Sequence, residues 1–196
     1  MPKLPSLPEN PEMLDVLARY PQGFAALCDY HDVILRGPSQ LSVAERELIA
    51  AYVSGLNQCS FCHGSHRVYA ELHGIDPDVF EKLVADPAAA GVDPRMLPLL
   101  EYARVLTQSP AMASDRLAQA AYDAGWSEEA LFTCVSVTAL FNLMNRLIEG
   151  TGITANPMAR AASRERAAGN LANPAPYAQF GAMVERLHEE RYGAGA

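Results

Sequence analysis

The chain has 196 residues, of which 15 are basic and 23 acidic, for a net charge of -8, so nucleic acid is excluded as a natural partner. With 49% hydrophobic residues it can build one substantial core, or two fused lobes, without needing disulfides. The stretch up to Glu12 has no hydrophobic signal core and no apolar run reads as long as a membrane span, so a cytoplasmic protein without a membrane partner is expected.

Almost every segment reads as helix and strand signals are few, which predicts an all-α fold of eight to ten helices. Met13 to Tyr20 and Gly23 to Arg36 form the first two, divided at Pro21, with Gly37 and Pro38 stopping the second. Cys28 lies inside the second as a small buried hydrophobe. His31 has no partner at a useful spacing and reads as a surface or packing residue. Ser42 and Glu45 make a capping box that opens the next helix, which gives Glu45 a structural task and leaves Glu47 free for another.

From Glu47 to His66 the sequence sets two thiols, an imidazole and a carboxylate at helix-compatible spacings. Cys59, Cys62 and His66 share one face of a helix that runs to Leu72 and ends at Gly74. On one unbroken helix Glu47 would lie roughly 28 Å from His66 at about 1.5 Å per residue. Gly55 to Gln58 supply the break, with Asn57 capping the second helix, and a reversal there brings Glu47 level with His66. The order from spacing is carboxylate, imidazole, inner sulfur, outer sulfur. In that order Glu47 holds His66 to accept a proton from Cys62, leaving Cys62 with a thiolate pKa below the free value of about 8.5. A zinc site would need Glu47 as its fourth ligand, and a structural disulfide would close only a short loop in a reducing compartment. No metal and no cofactor is therefore expected.

At Glu47, Cys59, Cys62 and His66 the sequence resembles the alkylhydroperoxidase D and carboxymuconolactone decarboxylase superfamily, above all its peroxidase-related members. The shared motif is a glutamate followed by C-x-x-C-x-x-x-H, and the likeness extends over roughly residues 40 to 150. It implies an AhpD-like helical fold with the C-x-x-C in a helical hairpin, and a thiol-dependent hydroperoxidase activity. Cys62 would attack the hydroperoxide and Cys59 would resolve the product as a disulfide, with an external dithiol or thiol protein as reductant. Some family members have a histidine between the cysteines; here Ser60 and Phe61 occupy that space and His63 follows Cys62. The resemblance also implies a homo-oligomer, a dimer, trimer or hexamer. Two other chemistries stay open: dithiol-disulfide exchange without peroxide, and lactone decarboxylation on the same fold.

Asp76 and Pro77 begin a short helix to about Ala85, and Asp93 and Pro94 begin another near Met96 to Thr107. Ser114 to Ala124 and a long apolar helix from Ser127 to about Ile148 follow. Cys134, inside the latter, reads as a buried hydrophobe. The punctuation at Gly74 and Gly125 is alike, a weak sign of an internal repeat and two lobes. Asn142, Asn145 and Arg146 interrupt the apolar run, either lining the site or tying helices together. These elements give residues 1–152 as a domain carrying the redox motif and 153–196 as a helical extension packing on the body or on a neighbouring subunit. The last helix, near Tyr177 to Arg191, should bury Phe180, Met183, Val184 and Leu187.

Overall fold

The computed structural model describes residues 3–154 and 164–193, and among these every regular element is helical. In chain order they are α1 (Met13–Arg19), α2 (Phe24–Arg36), α3 (Val43–Leu56), α4 (Ser60–Leu72), α5 (Val79–Lys82), α6 (Leu97–Gln108), α7 (Asp115–Asp123), α8 (Glu128–Thr151), α9 (residues 164–169) and α10 (Pro176–Tyr192).

Helix α3 is the centre of the fold. Arg46 to Ser54 are buried without a break, because this helix is covered by α4, α6 and α8 and touches α2 as well. Its start is fixed by the expected box: Ser42 Oγ accepts from Glu45 N, and Glu45 returns a carboxylate oxygen to Ser42 N. The guanidinium of Arg46 donates to the Ile34, Gly37 and Ser42 carbonyls, tying the end of α2 to the start of α3.

The hairpin between α3 and α4 turns at Asn57 and Gln58. Gln58 has φ 57°, a left-handed conformation that a side chain adopts at a cost. Asn57 does not cap α4 as expected. It closes α3, and Cys59 is the N-cap of α4. The Asn57 side chain is drawn instead to α8, where its amide donates to Asn142 Oδ1 and Asn145 Oδ1 at 3.1 and 2.9 Å.

Helix α8 extends three residues past the expected end and is long and apolar enough by composition to cross a membrane, which the reading of short apolar runs missed. The fold uses it as a core helix: Ala130, Leu131, Cys134, Val137, Leu140, Phe141, Met144 and Ile148 are buried, packed on α3 and α6. One main core runs from Leu7 to Ile153, and a small satellite of Phe24, Cys28 and Val184 forms where α10 meets α2.

Helix α10 lies on α1 and α2 of its own chain. Its first turn is capped from outside, by the Asp32 carboxylate of α2, which accepts from Tyr177 N and Ala178 N at 3.1 and 2.7 Å. Gly181 allows the close approach, since a Cβ there would stand 3.2 Å from Cys28 Cβ. Met183 is exposed rather than part of the packed stripe, because the face is set by Tyr177, Gly181 and Val184 one turn apart. The alanine-rich segment noted after Gly152 lies largely outside the described residues.

Candidate active site

Three helices converge on Glu47. Its side chain is fully buried, and His66 Nδ1, from α4, lies 2.5 Å from Oε2. On the other side Arg36 Nη1, from the last turn of α2, lies 2.6 Å from Oε1. The guanidinium approaches off the line of a hydrogen bond, so Oε1 is compensated by charge and not by an aligned donor. Burial alone pushes the Glu47 carboxyl up, but the His66 and Arg36 partners outweigh it and hold it below its ordinary value. The carboxylate therefore accepts, and His66 turns Nδ1 toward it as the donor.

Aromatic rings fix both partners. The Phe141 ring meets His66 edge-on at 4.3 Å between centroids. Tyr69 and Tyr177 each present a ring 5.5 Å from the Arg36 guanidinium carbon. Arg36 was invisible as a site residue in the sequence, where a basic residue ending a helix has an ordinary role. Tyr177 reaches the site only because α10 folds back on α2.

The two sulfurs meet at the start of α4. Both cysteines are unpaired thiols, with Cys59 fully buried and Cys62 4% exposed. Donation from the Cys62 thiol, aided by the Cys62 backbone N–H, lowers the Cys59 pKa despite burial. In return, the bond to Cys59 and then burial push the Cys62 thiol far up. This is opposite in direction to the expectation: the thiol–thiol contact favours ionisation at the helix N-cap sulfur and disfavours it at the inner one. Among the described hydrogen bonds none joins Cys62 to His66, so the relay stops one step short in the reduced protein.

Helix α8 supplies the other side of Cys62. Asn145, 2% exposed, donates to Ser54 Oγ at 3.0 Å and accepts from Asn57, while its side chain also hydrogen-bonds Cys62 and favours its ionised form. Arg146 stays outside, donating to the Asn142 carbonyl and side-chain oxygen. Asn145 thus belongs to the site, and Arg146 holds Asn142 in place. Among the described residues no group of three or more His, Cys, Asp and Glu side chains is disposed to hold a metal. Cys28 and Cys134 are buried with their thiols pushed up to about 12 by desolvation, so neither is reactive.

Residues 21–105 match the model of the Carboxymuconolactone decarboxylase family, a span that holds Arg36, Glu47, Cys59, Cys62 and His66. A solved peroxidase-related protein from Silicibacter sp. TM1040 is 28% identical, with 74% of this chain and 76% of that chain covered and a TM-score of 0.68. These likenesses support assignment to the alkylhydroperoxidase D and carboxymuconolactone decarboxylase superfamily. A second structure, described as an alkylhydroperoxidase AhpD core and peroxidase-related protein from Ralstonia eutropha JMP134, is 25% identical over 76% of this chain and 79% of that one, with a TM-score of 0.70. No curated protein matches the chain significantly. The AhpD-like assignment accounts for the all-α architecture and for the hairpin that carries the cysteines. Asn145 and Tyr177 lie beyond the matched span, so the fold completes this AhpD-like site with residues from α8 and α10.

Proposed function

We propose that this protein is a thiol-dependent hydroperoxidase in which Cys59 and Cys62 are the redox pair and Glu47 and His66 move the proton. The observation that supports it most is the buried 2.5 Å contact between Glu47 and His66, which orients the imidazole and makes its other nitrogen more basic on the helix next to both sulfurs. Transfer of the Cys62 proton to His66 Nε2 frees Cys62 to attack. An imidazolium at His66 is stabilised by the Glu47 carboxylate, which makes that transfer affordable in a buried site.

The Cys62 thiolate displaces the alkoxide of a hydroperoxide and becomes a sulfenic acid, and the alkoxide takes the proton from His66. The Cys59 thiol then attacks the sulfenic sulfur, its proton leaves with the sulfenic hydroxyl as water, and a disulfide remains. An external dithiol or thiol protein returns the pair to the reduced state. The assembly proposed for this cycle is a homo-oligomer.

The test is consumption of an organic hydroperoxide coupled to oxidation of a dithiol, one peroxide for each dithiol oxidised. Cys59→Ser and Cys62→Ser should each abolish turnover, and Glu47→Gln or His66→Gln should lower it. Disulfide exchange without peroxide loss would move the reading to a dithiol-disulfide oxidoreductase. Activity on a lactone that survives loss of both cysteines would move it to decarboxylase chemistry.

A further inference from the structure

Helix α4 carries two cysteine–histidine pairs at the same i, i+4 spacing, Cys62 with His66 and Cys59 with His63. Their surroundings differ. His66 faces Glu47 and Phe141, whereas His63 sits where α3 turns into α4, with its ring edge-on to Phe80 at 6.3 Å. His63 Nδ1 lies 2.8 Å from the Ala51 carbonyl, an oxygen that only accepts. The Nδ1 position therefore carries the proton, and Nε2 is the acceptor.

A depression of about 270 Å³ opens beside this histidine, lined by Gly55, Gln58, Cys59, Ser60, His63 and Val84. Cys62 is not among its lining residues. Gly55 keeps one wall bare: a Cβ there would stand 2.4 Å from Val84 Cγ2 and 3.1 Å from His63 Nδ1. The volume is below the roughly 300–1,000 Å³ of sites for drug-sized ligands, which suits a small dithiol or a thiol on a slender arm. Cys59 forms the inner wall and has no exposed surface in the reduced protein. Its rim is made by exposed Val84 and by exposed Gln58 in its left-handed turn.

We propose that this depression receives a small thiol reductant and that His63, distinct from His66, takes the proton from the incoming thiol. The proposal rests on the reading of Cys59 and Cys62 as a redox pair. The reductant thiol gives its proton to His63 Nε2 and its sulfur attacks Cys59 Sγ. The bond between Cys59 and Cys62 breaks, and the electron pair leaves on Cys62. Cys62 ends as a thiol, the net proton being the one the reductant gave up. The second thiol of the reductant then attacks the mixed disulfide, its proton passing through His63 Nε2 to the departing Cys59 sulfur, and the reductant leaves as its own disulfide. The ionisable groups bearing on this corner are Cys59 and Cys62 on α4, Glu149 from α8, whose charge acts on both sulfurs, and Arg67, stacked over the Phe80 ring.

The disulfide is loaded with diamide, so that no peroxide is involved, and its reduction by dithiothreitol is followed by stopped flow across pH. A thiol with a pKa of about 8.5 is only about 3% ionised at pH 7, so a base can contribute at most about thirtyfold there. His63→Gln should slow reduction near neutrality by up to that factor, and the gap should close at high pH, where the reductant is already a thiolate. Val84→Phe, which fills the depression, should raise the dithiothreitol concentration needed for half-maximal rate. Reduction of His63→Gln at the wild-type rate, or slowed equally at every pH, would overturn the base role, and an unaffected Val84→Phe would overturn the docking site. A protein that shows the His63 pattern yet consumes no hydroperoxide would lose the peroxidase reading and keep this one.

Discussion

Arg36 and Glu47 form an ion pair at 2.6 Å, with the arginine side chain 7% exposed and the carboxylate 0% exposed. Such a pair is poor in net stability but expensive to break, because the survivor is left charged and dry. Arg36→Gln should therefore cost about 3–5 kcal/mol in denaturant unfolding, more than a surface arginine such as Arg104. The same substitution removes one of the two partners that hold the Glu47 carboxyl down. Glu47 also loses the partner that fixes its other oxygen, so turnover should fall even where the protein remains folded. A cost under about 1 kcal/mol, the range of an exposed pair, would show that Glu47 does not depend on Arg36.

Acid stability carries a separate signature of Glu47. Its folded pKa lies below the ordinary 4.5, so the unfolded chain binds the proton more readily. That contribution is complete above 4.5 and is lost as pH falls toward the folded value. Glu47→Gln should flatten the decline of unfolding free energy below about pH 4.5, measured in urea at successive pH values. An unchanged acid limb would contradict the ionised carboxylate on which the relay is built.

His31 acts in a higher window. Burial, the largest cause, lowers its pKa from 6.5 to about 4, because the ring is packed among Tyr177, Phe141 and the Leu27 carbonyl. The unfolded state takes up a proton below 6.5 that the folded state refuses until about 4, so stability declines as pH falls between those values. The loss is on the order of 3 kcal/mol across the window. His31→Leu should remove that slope while leaving the Glu47 limb in place, and a slope that persists would assign it to another group.

The hairpin and its four residues were legible because each depends on local signals: a capping box at Ser42, breakers at Gly55 and Asn57, and i, i+4 spacing from Cys62 to His66. Arg36 and Tyr177 were not, since their roles arise from contacts between helices distant in sequence. Asn57 shows the limit of local reasoning. Its amide is a good helix cap by type, but α8 offers it two side-chain carbonyl oxygens, and tertiary hydrogen bonds won. The direction of the cysteine pKa shifts departs from the expectation for a related reason. Spacing placed His66 one turn from Cys62, yet the nearer hydrogen bond is between the sulfurs themselves, and the helix N-cap favours charge on Cys59.

Gln58 holds a left-handed backbone, φ 57°, between α3 and the redox pair. For a residue with a Cβ this costs roughly 1–2 kcal/mol, so Gln58→Gly should stabilise the protein by up to about 1 kcal/mol after glycine's own entropic cost. Gln58→Val should destabilise it, because branching worsens the same clash. Identical melting temperatures for the two variants would show that the turn is unstrained. If strain is relieved in the glycine variant, alkylation of Cys59 should also slow, since the turn then has less to gain by opening.

The contact between the two sulfurs makes the most direct claim on the site. With Cys62 donating to Cys59, limiting iodoacetamide at neutral pH should label Cys59 ahead of Cys62 in the reduced protein, as peptide mass spectrometry would read. Asn145→Leu deletes the donor that favours an ionised Cys62, removes the donor to the Ser54 hydroxyl and takes one of the two acceptors of the Asn57 amide. It should cost about 1–3 kcal/mol, the penalty of unsatisfied buried polar groups, and suppress labelling of Cys62 further while sparing Cys59. Labelling of Cys62 first would place the resting charge on the inner sulfur, and the His66 relay would then already be engaged before any peroxide arrives.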